Sequence, residues 1–390
     1  DEVLALAQKA NKLDPDDPAA SLILATALAT NGKSEEAEKA FNSAVKNAGN
    51  DSMPRLLRAR FFVAQKRYKE ALEDYDLLVK SGQEDTELLT ARLVPLFELG
   101  DYDRALKDVN KLLLSGHKDD WLYLASGTAK ASLGQYKTAV SDLEKYALNA
   151  PAKAPIYTLI ARAYLGAHEY NKAIAAAGQA LALTPNYHEA RKIRVAAYFA
   201  AQNWQGIIDD TNYLSEQEKI IKQDQKSQEK SNTTSTKNSL LDENLLEWRG
   251  FAFYVTGMPL KALECFNSII EQFPESSLGY ADAALIYIET GMLSEAEKLI
   301  NTALTKENKG AKLYFEKAEL DLLLKRDQEA LKALDQAIQI KPDYASALKL
   351  RAGIAFKNSN LELAKESLEK LLALRETANF KEELQLADIL

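Results

Sequence analysis

Small apolar residues recur along the chain on one beat. Steps of 34 from Ala139 reach Ala37, Ala71, Ala105, Ala173 and Ile207, and a second series runs through Ala262, Ala296, Ala330 and Ala364. Twelve residues before each of these stand Ala25, Ala59, Leu93, Gly127, Ala161 and Val195, then Gly250, Ala284, Ala318 and Ala352. Larger apolar residues keep the same register, with Phe41, Tyr75, Leu143, Phe266 and Leu334 in equivalent places and charged residues between them. The pattern predicts two antiparallel helices per repeat. Small residues let the two axes approach, and larger apolar side chains interlock around the crossing.

Punctuation agrees with this reading. Gly32, Gly100, Gly134, Gly257 and Gly291 fall where each first helix should end in a left-handed residue. Pro15, Pro151, Pro185, Pro274 and Pro342 follow the second helices, which proline cannot continue. Tyr68, Tyr102, Tyr136, Tyr170 and Trp204 open five of those second helices.

A period of 34 with these signature positions resembles the tetratricopeptide repeat (TPR) family. The resemblance implies an all-α fold, an α-solenoid or right-handed superhelix of about ten helix-turn-helix repeats. Residues 1–17 read as the second helix of a truncated preceding repeat, 18–221 as six repeats, 222–242 as an insertion, 243–378 as four repeats and 379–390 as a terminal capping helix. Because the first 17 residues open in mid-repeat, the chain is expected to be a fragment of something longer.

Two stretches depart from the beat. From Ile207 to Ala262 the step is 55, which makes room for an insertion. Its first part is rich in helix formers and should lengthen the preceding second helix, whereas "SNTTSTKNS" has little to bury and reads as a mobile loop. It serves either as a solvated spacer or as a hinge or flap. The other departure is Pro95, inside the first helix of repeat three, where a lost hydrogen bond and a steric clash predict a kink. Such a kink would reshape local curvature or open a pocket on the inner face.

Composition narrows the chemistry. Among the 390 residues, 46% are hydrophobic and 27% charged, which excludes wholesale disorder, and the net charge of −8 argues against nucleic acid as partner. The apolar runs fall short of the ~20 residues needed to cross a bilayer, so membrane insertion is not expected of this segment. One cysteine, Cys265, excludes an internal disulfide and a multi-thiolate metal site, and reads as an inert thiol. Phosphate loops, metalloprotease motifs and nucleophile elbows are absent, and His117, His168 and His188 sit near turns of different repeats. Neither a catalytic residue, a metal site nor a cofactor is expected. Asn50 and Asn232 fit a glycosylation sequon, which matters only in a secreting eukaryote. The compartment stays open between cytoplasm and bacterial periplasm, and an oligomer is possible.

Three rows on the first helices should face an inner groove. One mixes Leu22, Leu56, Leu124, Ala281 and Phe315 with Thr90, Thr158, Lys192, Glu247 and Lys349. A second is apolar throughout, including Val63, Phe97, Leu165, Phe199, Tyr254, Ile288 and Phe356, and is the row expected to be core. The third joins Arg60 and Arg162 to Thr26, Thr128, Ala196, Phe251 and Glu319. Leu56, Arg60, Phe97, Leu124, Arg162, Lys192, Phe199, Phe251 and Tyr254 are therefore the candidate partner-binding residues. A partly apolar trough with isolated charges suits an extended peptide or an amphipathic helix. Some family members clamp a chaperone's terminal carboxylates with Lys and Asn. Here those positions hold Leu56 with Arg60, Thr90 with Val94 and Lys192 with Ala196, so that mode is not expected. The leading expectation is a non-catalytic scaffold or adaptor for protein or peptide partners in an assembly. The alternatives are the recognition arm of a larger enzyme, or of a polysaccharide export or secretion system.

Overall fold

The computed structural model describes residues 2–117, 119–228, 239–307 and 309–375. The expected loop at 231–238, the sequon at Asn232 and the expected helix at 379–390 lie outside them. Among the described residues the structure is an all-α helical-repeat solenoid of 21 helices. α1 (Glu2–Leu13) is followed by hairpins α2 (Pro18–Thr30) with α3 (Ser34–Asn47), α4 (Met53–Ala64) with α5 (Tyr68–Lys80), and α6 (Thr86–Glu98) with α7 (Tyr102–Leu114). Next come α8 (Asp120–Ser132) with α9 (Tyr136–Asn149), α10 (Ala154–Gly166) with α11 (Tyr170–Leu183), and α12 (His188–Ala200) with α13 (Trp204–Gln228). The last four are α14 (Glu243–Val255) with α15 (Pro259–Gln272), α16 (Leu278–Glu289) with α17 (Leu293–Ala303), α18 (Ala311–Leu323) with α19 (Asp327–Ile340), and α20 (Ala345–Lys357) with α21 (Leu361–Arg375). The chain forms two compact units, Asp1–Arg194 and Val195–Leu390, a division that falls inside α12.

Close approach explains the small residues. Ala25, Ala37, Ala59, Ala71, Ala139, Ala173, Ala262, Ala296 and Ala330 are fully buried at helix crossings. At Gly127 even a methyl would intrude, since a Cβ there would stand 2.6 Å from Leu143 Cγ. Among the described residues the substantial helix contacts are with first or second neighbours in sequence: first helices meet their own partners and, in α2–α4, α4–α6, α8–α10, α14–α16 and α16–α18, the next first helix. Successive first helices thus form one face in each unit.

The turns share one backbone solution. Residues 32, 66, 100, 134, 168, 202, 257, 291, 325 and 359 all have positive φ, although Lys66, His168, Gln202, Lys325 and Ser359 are not glycine. Each first helix closes with a bond from the following residue to a carbonyl five back, as in Lys33 N to Leu28 O (3.0 Å) and Arg67 N to Phe62 O (2.8 Å). The turn therefore dictates the left-handed residue whatever its side chain. Replacing Lys66 (φ 59°) or Lys325 (φ 58°) with glycine is expected to stabilise the chain by about 0.5–1 kcal/mol each, read as a shift of the urea midpoint. Unchanged or lower midpoints would show that those side chains contribute more than the strain removes.

Charged residues bolt three N-terminal hairpins internally. Arg58 Nε and Nη2 donate to Asp74 at 2.8 and 2.7 Å, and Arg92 Nε and Nη2 donate to Asp108 at 2.7 and 2.6 Å. Ser126 Oγ and Lys130 Nζ reach Asp142 at 2.7 and 2.6 Å. Each acid lies sixteen positions after the first-helix donor (Arg58, Arg92, Ser126) at the same register. In α15 that register is occupied by Cys265, and Arg249 turns instead to Asn212 (2.8 Å). Elsewhere Pro95 is buried inside a continuous α6, with Leu99 N–H bonding back to its carbonyl at 3.1 Å. Within α13, Glu218 holds the returning chain: Ser239 Oγ and Leu240 N donate to it at 3.0 and 3.2 Å. Burial opposes the charge on Glu218, but these bonds and Lys222 prevail and hold its carboxyl below the usual range.

Candidate interaction surface

On the N-terminal unit, α6 and α8 part to leave an open groove of about 520 Å³ lined by Thr90, Val94, Phe97, Glu98, Trp121 and Leu124, among others. Val94 is 49% exposed and Trp121 39%, although both are large and apolar. Phe97 packs edge-on to Tyr102, with ring centroids 5.9 Å apart, and is half-buried. The groove abuts the helix that carries Pro95. Val94 and Trp121 were not among the candidates from sequence: Val94 shares a row with the arginines, and Trp121 sits one turn before Leu124.

The two candidate arginines are already engaged. Arg60 Nη2 lies 2.5 Å from Glu87 Oε1, and Arg162 Nη2 lies 2.5 Å from Glu189 Oε1. Each pair joins one first helix to the next and is largely solvent-exposed, so each contributes at most about 1 kcal/mol. An acidic partner would compete with these glutamates. Leu56 and Lys192 are half-buried on α4 and α12.

In the C-terminal unit, aromatic side chains gather where α12 ends. Phe199 stacks on Trp248, with centroids 5.1 Å apart and planes 20° apart, and meets Trp204 edge-on at 6.1 Å. Phe251 is enclosed by Phe199, Trp204 and Tyr254 and is only 6% exposed, which corrects its expected place in the groove. Tyr254 is half-buried and donates its hydroxyl to Glu289, and burial together with that carboxylate pushes its pKa up. The apolar row expected to be core is mostly half-buried: Ile288 is enclosed, while Phe356 is 71% exposed. A second groove, of about 420 Å³, opens between α18 and α20 at the same helix positions as the first, lined by Phe315, Glu319, Leu322, Ser346 and Lys349 among others.

Beside that groove lies a nest of acids that the sequence did not announce. Lys312 Nζ contacts Asp282 Oδ1 and stands 3.5 Å from Glu247 Oε1. Asp282 and Glu316 are 1% and 2% exposed, and Asp282 Oδ2 and Glu316 Oε2 are buried with no hydrogen-bond partner. Burial, then Asp282, pushes the Glu247 carboxyl up to about 7 against the pull of Lys312. Burial, then Glu289, raises Glu319 to about 7, and burial followed by Glu319 holds Glu316 well above the ordinary range. One signal was available: Asp282 and Glu316 lie 34 apart, at a register that holds Leu57, Ala91, Ala125, Ile193 and Leu350 in other repeats.

Among the described residues no three His, Cys, Asp or Glu side chains are placed to hold a metal ion. Burial raises the Cys265 thiol to about 11 and so keeps it protonated, with Arg249 opposing the shift. His188 is held below its usual pKa by burial, then by Arg191 and Lys192. No described helix is long and apolar enough to cross a membrane.

Sequence profiles of the tetratricopeptide repeat match residues 1–61, 154–187 and 281–345. No curated protein matches the chain. Solved structures similar to it include a tetratricopeptide repeat protein from Parabacteroides merdae (19% identity, 73% of this chain and 98% of that one, TM-score 0.49). Yeast Tom70 aligns over 99% of this chain and 91% of its own at 15% identity (TM-score 0.48). YrrB, described as a TPR protein with an unusual peptide-binding site, aligns over 47% of this chain and 95% of its own at 18% identity (TM-score 0.43). The same repeat is matched at the beginning, in the middle and towards the end of the chain, which therefore carries tetratricopeptide repeats.

Proposed function

We propose that the protein is a non-catalytic adaptor that holds an extended or helical segment of a partner protein along its first-helix face, within a larger assembly. Tetratricopeptide repeats are in general protein-interaction modules. The observation that carries the reading is the groove between α6 and α8, where Val94 and Trp121 stay exposed above Phe97 and Leu124. An apolar floor with a polar rim (Thr90, Thr128 and Glu98) gives a partner side chain something to bury and something to orient it.

Selection of a displayed random-peptide library on the full chain tests this. Peptides should be enriched, and part of the enriched set should bind Val94→Glu at least about tenfold more weakly, because a charge then stands where an apolar anchor is buried. Since Val94 is half exposed, the variant keeps its fold, which circular dichroism checks. Failure to enrich any peptide, or equal binding of every peptide by wild type and Val94→Glu, would overturn the groove as the docking surface.

A further inference from the structure

The acid nest of the C-terminal unit is chemically unbalanced. Glu247, Asp282 and Glu316 face the ammonium of Lys312, Glu319 adjoins Glu316, and Glu289 stands at the exposed margin. The neighbouring cations are committed elsewhere: Lys317 pairs with Asp321, Arg351 with Asp335 and Glu366, and Lys357 with Asp327. Lys349 lines the α18–α20 groove together with Glu319. Two carboxylate oxygens, on Asp282 and Glu316, remain buried with no donor. Taking a carboxylate out of water is unfavourable by several kcal/mol unless a cation or donors replace the water. Structural ion pairs normally arrive at a match, as Arg92 and Asp108 do. This nest leaves two acceptors unmet at its centre, and Glu319 at its edge lines the groove of about 420 Å³.

We infer that the nest is a socket for one cationic side chain, an arginine or lysine, of a basic partner segment lying across α16, α18 and α20. The inference rests on the adaptor reading above and specifies its partner chemistry for this unit. A guanidinium offers five donors in a planar fork and is weakly hydrated, so it suits a pair of carboxylates at the edge of a protein core. Glu319 and the exposed Glu289 form the approach, and Glu316 is the buried end. The aliphatic part of the entering side chain would lie over Phe315 and Leu322, which line the same groove. The geometry thus favours a basic segment here, the opposite sign to a carboxylate clamp.

The test uses the peptide selection on the full chain, followed by binding to Glu316→Gln and to the double variant Glu316→Gln/Glu319→Gln. These isosteric changes remove charge from a crowded site and should leave the helical signal and melting point at least at wild-type values. A class of enriched peptides should carry Arg or Lys at one fixed position, lose at least about tenfold in affinity when that residue becomes norleucine, and lose as much on the double variant. Peptides that bind wild type and both variants alike, or that share no basic position, would overturn the socket while leaving the adaptor reading intact. Failure to enrich any peptide would sink both.

Discussion

Asp108→Ala is expected to lower stability by about 3 kcal/mol, a large loss for one exchange in a repeat array. Asp108 is 1% exposed and accepts two short bonds from Arg92, itself only 7% exposed. Removing the acid strands a guanidinium inside the α6–α7 hairpin. Asp76, 3.2 Å from Arg92 Nη1 and half-buried, retains part of the charge balance, which places the loss at the lower end of the range for breaking a buried pair. The companion variant Arg92→Met/Asp108→Leu should recover most of the loss, because no stranded charge remains and apolar volume is kept. Urea melts with hydrogen exchange of α6 and α7 supply the measurement. If single and double variants lose equally, the pair acts through its packing volume and not through its charge.

A second large effect is expected at Lys312, and it depends on pH. Lys312→Met deprives Asp282 and Glu247 of their cation; at pH 8 the loss should be about 3 kcal/mol, reduced from the fully buried case because the lysine side chain keeps 23% of its surface in water. At pH 5 the loss should shrink markedly. Burial raises the carboxyls of Glu247 and Glu319 to about 7 and raises those of Asp282 and Glu316, so below pH 7 the folded state already holds protons that the unfolded chain releases near 4.5. A group raised in the folded state contributes stability that is complete below its unfolded pKa and is lost as pH rises through its folded value. Wild type should therefore weaken between pH 5 and 8 through these acids. His188, whose pKa is lowered, works in the opposite direction up to its ordinary 6.5, so the variant must be compared with wild type at each pH. Glu38, Glu70, Glu218 and Glu366 are held below 4.5 and lose their contributions only at lower pH. Thermal melts of both proteins at pH 5 and 8 decide the matter, and a pH-independent difference would remove the nest's electrostatics as the cause.

The helices were legible because a helix crossing tolerates only small residues, and Ala25, Ala59 and Ala173 cannot be mistaken for surface positions once they keep register. The left-handed turns were legible at the glycines and hidden at Lys66, His168, Gln202, Lys325 and Ser359, where hydrogen bonding of the turn overrides residue preference. Charged residues were the hardest to place. Arg92, Asp108, Asp282 and Glu316 look like a solvated face in sequence, since whether a charge is buried depends on residues distant in the chain: Arg92 and Asp108 are sixteen positions apart, Asp282 and Lys312 thirty. For the candidate surface, Phe97 and Leu124 follow from row and period, and they line the α6–α8 groove. Arg60 and Arg162 lie on the first-helix face, but the glutamates that engage them belong to the next hairpin. Phe251 was misplaced because Phe199 and Trp204, from the two preceding helices, close over it together with Tyr254 of its own helix.

Helices whose substantial contacts are with their first and second neighbours give the molecule a short memory. An error in α4 is felt by α2, α3, α5 and α6 and fades there, because α4 makes no substantial contact with a more distant helix. Such a chain degrades gracefully: a hairpin can be lost to damage, or reshaped by mutation towards a new partner, while hairpins three places away keep their grip.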